Sequence, residues 1–270
     1  MEHVIYYSDE LHDDFAGTNI DTKPLPEDYV YTDRSPLYRV SAFIVYRLIA
    51  RPLVWLYCKL GFLHVFKNRS VLRASRGKGA YFIGNHTNAG LDSFVPNIIP
   101  PGKLNHIIAG PDAMSLTAIR TLLKQLGVIP IGSTLEQARE MSECVSERVA
   151  HGASVTVYPE AHIWPYYTRI RPFPPGAFRF AAKDGEAVYT LTTCYKRRLT
   201  GRLPRAVTYV DGPFYADMSL PLKKRMEKLC LECRETMERR AAEHSDYEYV
   251  RYIRKDRTAE DLSFSHESTA

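Results

Sequence analysis

Short apolar runs alternate with helix-compatible ones between residues 80 and 212, and this alternation constrains the fold of the 270-residue chain more than any other feature. Ala80-Tyr81-Phe82-Ile83 reads as a buried strand, punctuated at its end by Gly84 and Asn85. A helix-compatible pattern over 91–98 follows, closed by Pro100 and Pro101. A strand is expected at 105–109, then a helix over 113–126 with Asp112 as its N-cap, then a short strand at 128–131. Ser133 or Thr134 caps a helix that runs through Val149, and Ser133-Thr134-Leu135-Glu136 has the form of a capping box. Beyond Gly152 come a strand at 154–158, a short helix at 176–183 that ends before Gly185, and strands at 187–195 and 206–212. From Ser219, with Pro221 in its first turn, a charged helix extends to about His244, with Met226, Leu229, Cys230, Cys233 and Met237 along one apolar stripe. Strands alternating with helices predict an α/β fold: a single domain with a mixed central sheet, helices on both faces, and an N-terminal interfacial helical segment ahead of it.

A chain of this length with 45% hydrophobic residues can bury one good core. Four segments are expected: a polar N-terminal arm at 1–37, membrane-interface helices at 38–66, the main domain at 67–257, and a polar tail at 258–270. The arm is acidic and carries Pro24, Pro26 and Pro36, so it is read as extended and ordered by its tyrosines. Within 38–66, apolar runs are separated by Arg47, Arg51 and Lys59, and none approaches the ~18 residues of a spanning helix. Pro52 is expected to kink any helix there. Tyr46, Trp55 and Tyr57 beside those cations fit a pair of helices lying in one leaflet, and the competing reading is a core helix with snorkelling basic residues. The formal net charge of +5 suits an anionic headgroup surface or a phosphorylated substrate and is too small to indicate nucleic acid. Cys230 and Cys233 form a C-x-x-C inside a charged helical pattern, which argues for core or surface thiols and against zinc. The odd cysteine count, without a signal-peptide pattern, leads to the expectation of a reducing, cytosolic setting.

The chemistry concentrates at Gly84-Asn85-His86-Thr87-Asn88-Ala89-Gly90-Leu91-Asp92-Ser93. His86 leaves the end of a strand, and Asp92 sits near the start of the next helical stretch. A neutral imidazole takes a proton from a hydroxyl, while a carboxylate on its other nitrogen fixes the tautomer and stabilises the cation that forms. The bland alternative is that both residues only cap the helix and satisfy the turn.

This block resembles the first motif of the lysophosphatidate acyltransferase family, the PlsC-type glycerolipid acyltransferases, in which Asn-His is followed by four residues and an Asp. Here five residues separate His86 from Asp92, which on a continuous helix would turn them apart. A non-helical bend through 87–90, with Gly90 absorbing the extra residue, and a helix starting near Leu91 are therefore expected. Three further blocks follow in the family's order. Gly127-Val128-Ile129-Pro130-Ile131-Gly132-Ser133 is similar to the second motif, with Ser133 where the family usually has a phosphate-binding Arg. Tyr158-Pro159-Glu160-Ala161-His162-Ile163 resembles Phe-Pro-Glu-Gly-Thr-Arg, with Ile163 in place of the Arg. Arg171-Pro172-Phe173-Pro174-Pro175-Gly176-Ala177-Phe178 resembles Phe-Lys-x-Gly-Ala-Phe, with Pro174 for the Lys. The run 187–191 stands where the fourth, strand-like motif belongs. The resemblance covers about residues 70 to 200.

What it implies is transfer of a fatty acyl group from a thioester donor, acyl-CoA or an acyl-carrier protein, to the hydroxyl of a lysophospholipid, with 1-acyl-glycerol-3-phosphate as the default acceptor. His86 is the expected base and Asp92 its orienter. Glu160, Asn85, Arg169, Arg171 and His162 are the candidate substrate-binding residues; His106 is taken as structural. No metal or cofactor is expected beyond the thioester substrate, and no nucleic acid is expected as a partner. The expected place is the cytoplasmic face of the cell membrane, peripheral or monotopic. Gly-x-Ser-x-Gly is absent, so no serine nucleophile elbow is expected. Three alternatives stay open: a lipid-binding protein without turnover on the same scaffold, an acyltransferase for a different hydroxyl acceptor, and a histidine-based hydrolase.

Overall fold

The computed structural model describes residues 3–17, 23–99, 104–115, 119–199, 201 and 203–255. Nine strands are present among them: β1 His3–Tyr7, β2 Val65–Lys67, β3 Ala80–Gly84, β4 Asn105–Ala109, β5 Val128–Pro130, β6 Ser154–Val157, β7 Val188–Lys196, β8 Arg205–Phe214 and β9 Val250–Arg254. Seven of them make one sheet in the order β2-β8-β7-β3-β6-β4-β5. Every neighbouring pair is parallel except β7 and β8, which are antiparallel. β3 lies at the centre with all five residues buried, as its uninterrupted apolar run requires of a strand covered on both faces.

The two faces can be read from β3 itself. Tyr81 and Ile83 point into a core shared with the helices Leu135–Ala150, Arg179–Asp184 and Leu222–His244. Ala80 and Phe82 point the other way, into a core with Val54, Cys58 and Phe62 of an N-terminal helix and Val95 and Ile98 of a short one. The stripe expected on the last long helix is seated in the first core: Leu229, Cys230, Cys233 and Met237 are buried, and Met226 packs at its margin. All five cysteines are buried free thiols.

Several elements differ from expectation. The stretch 91–98 is two short helices, Ala89–Asp92 and Val95–Ile98, because Pro96 sits in the first turn of the second. The stretch 113–126 is a 3-10 turn at Pro111–Met114 and a helix only at Arg120–Gln125; residues 116–118 and the side chain of Asp112 lie outside the described parts. The N-cap of Leu135–Ala150 is Thr134, whose hydroxyl accepts from the Gln137 amide, and Gln137 Oε1 accepts from the Ser133 amide. The reciprocal box is thus shifted by one residue from the expected frame. Pro221 is the N-cap of Leu222–His244 rather than part of its first turn. β9 was not anticipated; it pairs in parallel with β1, so the two ends of the described chain form a two-stranded sheet of their own. The polar tail at 258–270 lies outside the described residues.

The N-terminal segment carries the largest correction. In place of two helices broken at Pro52 there is one helical run, Pro36–Phe62, long and apolar enough by length and composition to cross a membrane. Its middle, Ile44–Ala50, is π-helical, and Pro52 follows in the first turn of Arg51–Phe62. A π turn inserts one residue and relaxes the i→i−4 ladder where proline cannot donate, so the proline is absorbed without a break. The wider turn also keeps an outward stripe in phase: Leu37 and Val40 are exposed before it, Ile44 and Leu48 within it, and Leu53, Leu56 and Leu60 after it.

One tight contact sets the entry to β3. A Cβ on Gly79 would stand 2.1 Å from the Val149 carbonyl oxygen, a backbone atom that cannot move aside without shifting its helix. Gly79→Ala is expected to cost about 3 kcal/mol, a fall in Tm of roughly 6–12 °C for a domain of this size. Gly176→Ala, with nothing within 4 Å of the added carbon, leaves Tm nearly unchanged in the same thermal melt.

Candidate active site

β3 and β6 are parallel neighbours, so the residues that follow each strand emerge at the same edge of the sheet. His86 follows β3, and Glu160 follows β6. Carboxyl ends of parallel strands are where open α/β sheets bind ligands.

Asn85 continues β3 with its side chain. Its amide donates to the Thr193 carbonyl at 3.0 Å and accepts from the Thr193 amide at 2.8 Å, clamping the end of the strand onto β7. Asn88, with extended φ and ψ, caps the next turn by accepting from the Gly90 and Leu91 amides. Asp92 reaches back from that turn, and its Oδ2 accepts from the Asn88 amide at 2.8 Å. The same oxygen lies 2.9 Å from His86 Nδ1. The extra residue of the His-x5-Asp spacing is thus taken up in the non-helical residues 85–88, and the helical turn begins at Ala89. Gly90 lies inside that turn. Its lack of a side chain serves a close approach, since a Cβ there would stand 2.6 Å from Tyr57 Oη.

The dyad is largely closed to water: the side chains of His86 and Asp92 are 16% and 3% exposed. A carboxylate oxygen only accepts, so Nδ1 carries the proton and Nε2 presents its lone pair. Among the described residues no hydrogen bond engages Nε2. The imidazole stacks on Tyr158, with ring centroids 4.7 Å apart and an interplanar angle of 19°. Burial pushes the Tyr158 phenol well above its ordinary pKa, so it stays neutral and donates to the Asp92 carbonyl at 2.6 Å. One tyrosine thereby braces both members of the dyad.

Glu160 holds the backbone in place. Its Oε2 accepts from the His86 amide and its Oε1 from the Arg171 amide, each at 3.0 Å. Arg171 Nη2 lies 3.3 Å from Oε2 and also donates to the His162 carbonyl, while the guanidinium covers the Trp164 ring. Burial lifts the Glu160 carboxyl above its ordinary pKa, opposed by the Arg171 charge and by the two backbone donors. Glu160 and Arg171 are both buried. Expected to meet substrate, both residues are instead committed to internal contacts, as is Asn85. Arg169 is exposed over the Tyr167 ring. His162 is partly exposed, with Nδ1 3.7 Å from Asp14 Oδ2. Neither makes a described contact with the dyad. His106 is buried against Arg148, and burial holds its pKa down to about 3.

Four residues that sequence reasoning passed over complete the frame. The Trp164 amide donates to the His86 carbonyl and the Tyr166 amide to the Thr87 carbonyl. Tyr195 Oη pairs with Thr87 Oγ1 at 2.9 Å. Asn88 is the fourth, and its cap role was legible as an Asn one position before a helical turn. Beside Asp92 the residues Ser93 and Phe94 open on an apolar cavity of about 220 Å³, with Val54, Ile107, Ala109 and Val128 in its wall.

The positions where arginines were expected are occupied differently. Ser133 Oγ accepts from the Leu25 amide at 3.2 Å. The Ile163 amide donates to Asp14 and its carbonyl accepts from Phe15. Both positions are therefore contacted by the N-terminal arm, although Ser133 stays exposed and Ile163 partly so.

Residues 65–195 match the family model for acyltransferases. No curated protein matches the chain. Among five solved chains that do match is the crystal structure of the 1-acyl-sn-glycerophosphate (LPA) acyltransferase PlsC from Thermotoga maritima, at 14% identity and a TM-score of 0.52. The alignment covers 78% of this chain and 82% of that one. At that identity the likeness is one of fold.

Removing one partner of a buried ion pair strands the other. Arg171→Met is expected to cost about 3–5 kcal/mol in urea unfolding, and adding Glu160→Gln to recover part of it. The folded state binds the Glu160 proton more tightly than the unfolded chain does. The cost of its charged form is therefore present above the folded pKa and relieved as pH falls through it. The deficit of Arg171→Met accordingly shrinks as the pH is lowered from neutral toward the ordinary carboxylate range.

Proposed function

We propose that this chain, whose residues 65–195 match the acyltransferase family model and whose fold is like that of PlsC, is a PlsC-type acyltransferase that transfers a fatty acyl group from a thioester donor to the hydroxyl of a lysophospholipid. The observation that carries the mechanism is the 2.9 Å contact of His86 Nδ1 with a nearly buried Asp92. Nε2 takes the acceptor's hydroxyl proton as the oxygen attacks the thioester carbonyl, and Asp92 stabilises the imidazolium that forms. The tetrahedral intermediate then collapses with loss of the thiolate, which leaves with the proton from His86. No acyl-enzyme is required. Glu160, Arg171 and Asn85 act as positioning residues that hold the backbone at His86. A lipid binder without turnover has no need of this dyad.

The donor is acyl-CoA or an acyl-carrier protein, and the apolar cavity beside Asp92 is the place for part of its chain. Lysophosphatidate is the default acceptor. A different hydroxyl acceptor is favoured by one observation: the arm residues Asp14, Phe15 and Leu25 stand at Ile163 and Ser133, where the resemblance calls for phosphate-binding arginines. Arg169 and His162, the exposed basic groups of the third motif region, remain the candidates for headgroup contact. The outward stripe of Pro36–Phe62, of whose most apolar stretch only 11% is buried, supports a monotopic seat on the cytoplasmic face of the membrane.

Transfer from radiolabelled lysophosphatidate and a set of acyl donors, measured on the detergent-solubilised protein, tests this reading. His86→Ala is expected to lower the rate about 10²–10⁴-fold, and Asp92→Asn by a comparable factor with the tautomer reversed. Full activity in His86→Ala would remove the histidine from the mechanism. Ala109→Phe fills the cavity, and its profile of donors should move toward shorter chains with transfer from the shortest donor retained.

A further inference from the structure

A cleft of about 1000 Å³ lies away from the dyad and is larger than the apolar cavity beside it. Gly77, Gly152 and Ala153 line it, and these precede β3 and β6, whereas His86 and Glu160 follow those strands. Cleft and dyad therefore occupy opposite ends of the sheet, roughly 20 Å apart at about 3.3 Å per strand residue.

The walls combine two chemistries. Arg47, Arg69, Arg73 and Arg76 contribute guanidinium groups, and Leu72 and Phe82 an apolar floor. No carboxylate is within the sequence from residue 34 to residue 91, although Lys and Arg recur through it. Among the described residues, Arg69, Arg73 and Arg76 form no ion pair with an acidic side chain. Arg69 donates to the Ile99 carbonyl and lies over Phe66, while Arg73 and Arg76 stand exposed. Such a set matches the planar, multiply charged oxygens of a phosphate. The apolar floor adds that the ligand is an amphiphile. Arg47 lies on the helix Pro36–Phe62 between the outward-facing Ile44 and Leu48, so a membrane seated on that stripe brings its headgroup layer to the cleft.

We propose that this cleft holds the phosphate headgroup of an anionic lipid, at a site separate from the one where acyl transfer occurs. The inference rests on the membrane seat proposed above. It gives the enzyme a second lipid contact that registers the surface charge of the membrane.

Co-sedimentation of the full chain with phosphatidylcholine vesicles, with and without a minority of phosphatidic acid, tests it. Wild type should bind the acidic vesicles more tightly. Arg73→Ala/Arg76→Ala should lose about tenfold on them, which is about 1.4 kcal/mol, and bind pure phosphatidylcholine as wild type does. Arg73→Lys/Arg76→Lys keeps the charge and loses the planar fork, so it should lose most of the same factor. Acyl transfer in detergent should stay at the wild-type rate in both variants. A lysine pair equal to wild type would reduce the effect to diffuse attraction and overturn the site. Displacement of wild type by inorganic phosphate, beyond what chloride of equal ionic strength achieves, would assign the cleft to free phosphate and overturn the lipid. Equal binding of wild type to both vesicles overturns the site alone; binding to neither overturns the membrane seat with it.

Discussion

Glu160 accepts the amide of His86 and both the amide and the guanidinium of Arg171 in a place closed to water. The end of the sheet that carries His86 depends on that arrangement, because residues 85–88 belong to no regular element and their backbone groups would otherwise be buried unpaired. Four of these groups are taken as follows: the His86 amide by Glu160, the His86 and Thr87 carbonyls by the amides of Trp164 and Tyr166, and the Asn88 amide by Asp92. The loop after β6 thus supplies the missing strand pairing for the loop after β3. A buried carboxylate is a costly device, and here it is made tolerable by a cation and two aligned backbone donors. Its role is geometric. It fixes where the imidazole sits, and among the described residues Nε2 is left without a hydrogen bond while Nδ1 is engaged by Asp92.

The same logic explains why Tyr158 and Trp164 matter although neither is a reacting group. Tyr158 stacks on the imidazole and bonds the Asp92 backbone, so the rotamer of His86 is set from its face as well as from Nδ1. Trp164 is fully buried between the Arg171 guanidinium and Tyr252 of β9, and its indole nitrogen donates to the Asp13 carbonyl. Through that ring the paired ends of the chain, β1 and β9, rest on the loop that carries Glu160. Residues near position 10 and near position 250 therefore support a loop at 160–171 that itself supports His86.

How legible this was in the sequence follows from the range of the forces involved. The central strands were readable because burial on both faces leaves an unbroken apolar run, as at Ala80–Gly84 and in β7. The dyad was readable because its residue types and their order are local, and the extra residue in its spacing already required a loop. What was misread is non-local or depends on hydrogen-bond register. Asn85 looks like a substrate ligand until its partner, 108 positions away, is known. Arg171 looks like an exposed phosphate fork until Trp164 and Glu160 close around it. The helix Pro36–Phe62 was read as broken because Pro52 breaks an α-helix, whereas a π turn placed just before it meets the same constraint and leaves no trace in the hydrophobic pattern except a step of five, from Leu48 to Leu53.

That helix and the arm before it tie the two ends of the sheet to one surface. From Tyr46 to Val54 the helix borders the apolar cavity beside Asp92, and at Arg47 it borders the basic cleft at the other end of the strands. Its outward side is mostly apolar, with Arg39 exposed near its start. A bilayer resting on that side would meet the cavity and the cleft together, with the acyl chains and the headgroup charge each facing the chemistry suited to it. The arm contacts Ser133 and Ile163, while Arg47, Arg69, Arg73 and Arg76 gather at the cleft beyond the other end of the strands. On the proposed reading, such a site would draw its lipid specificity less from a fixed phosphate clamp beside His86 than from how the helix presents a membrane to both ends of the sheet.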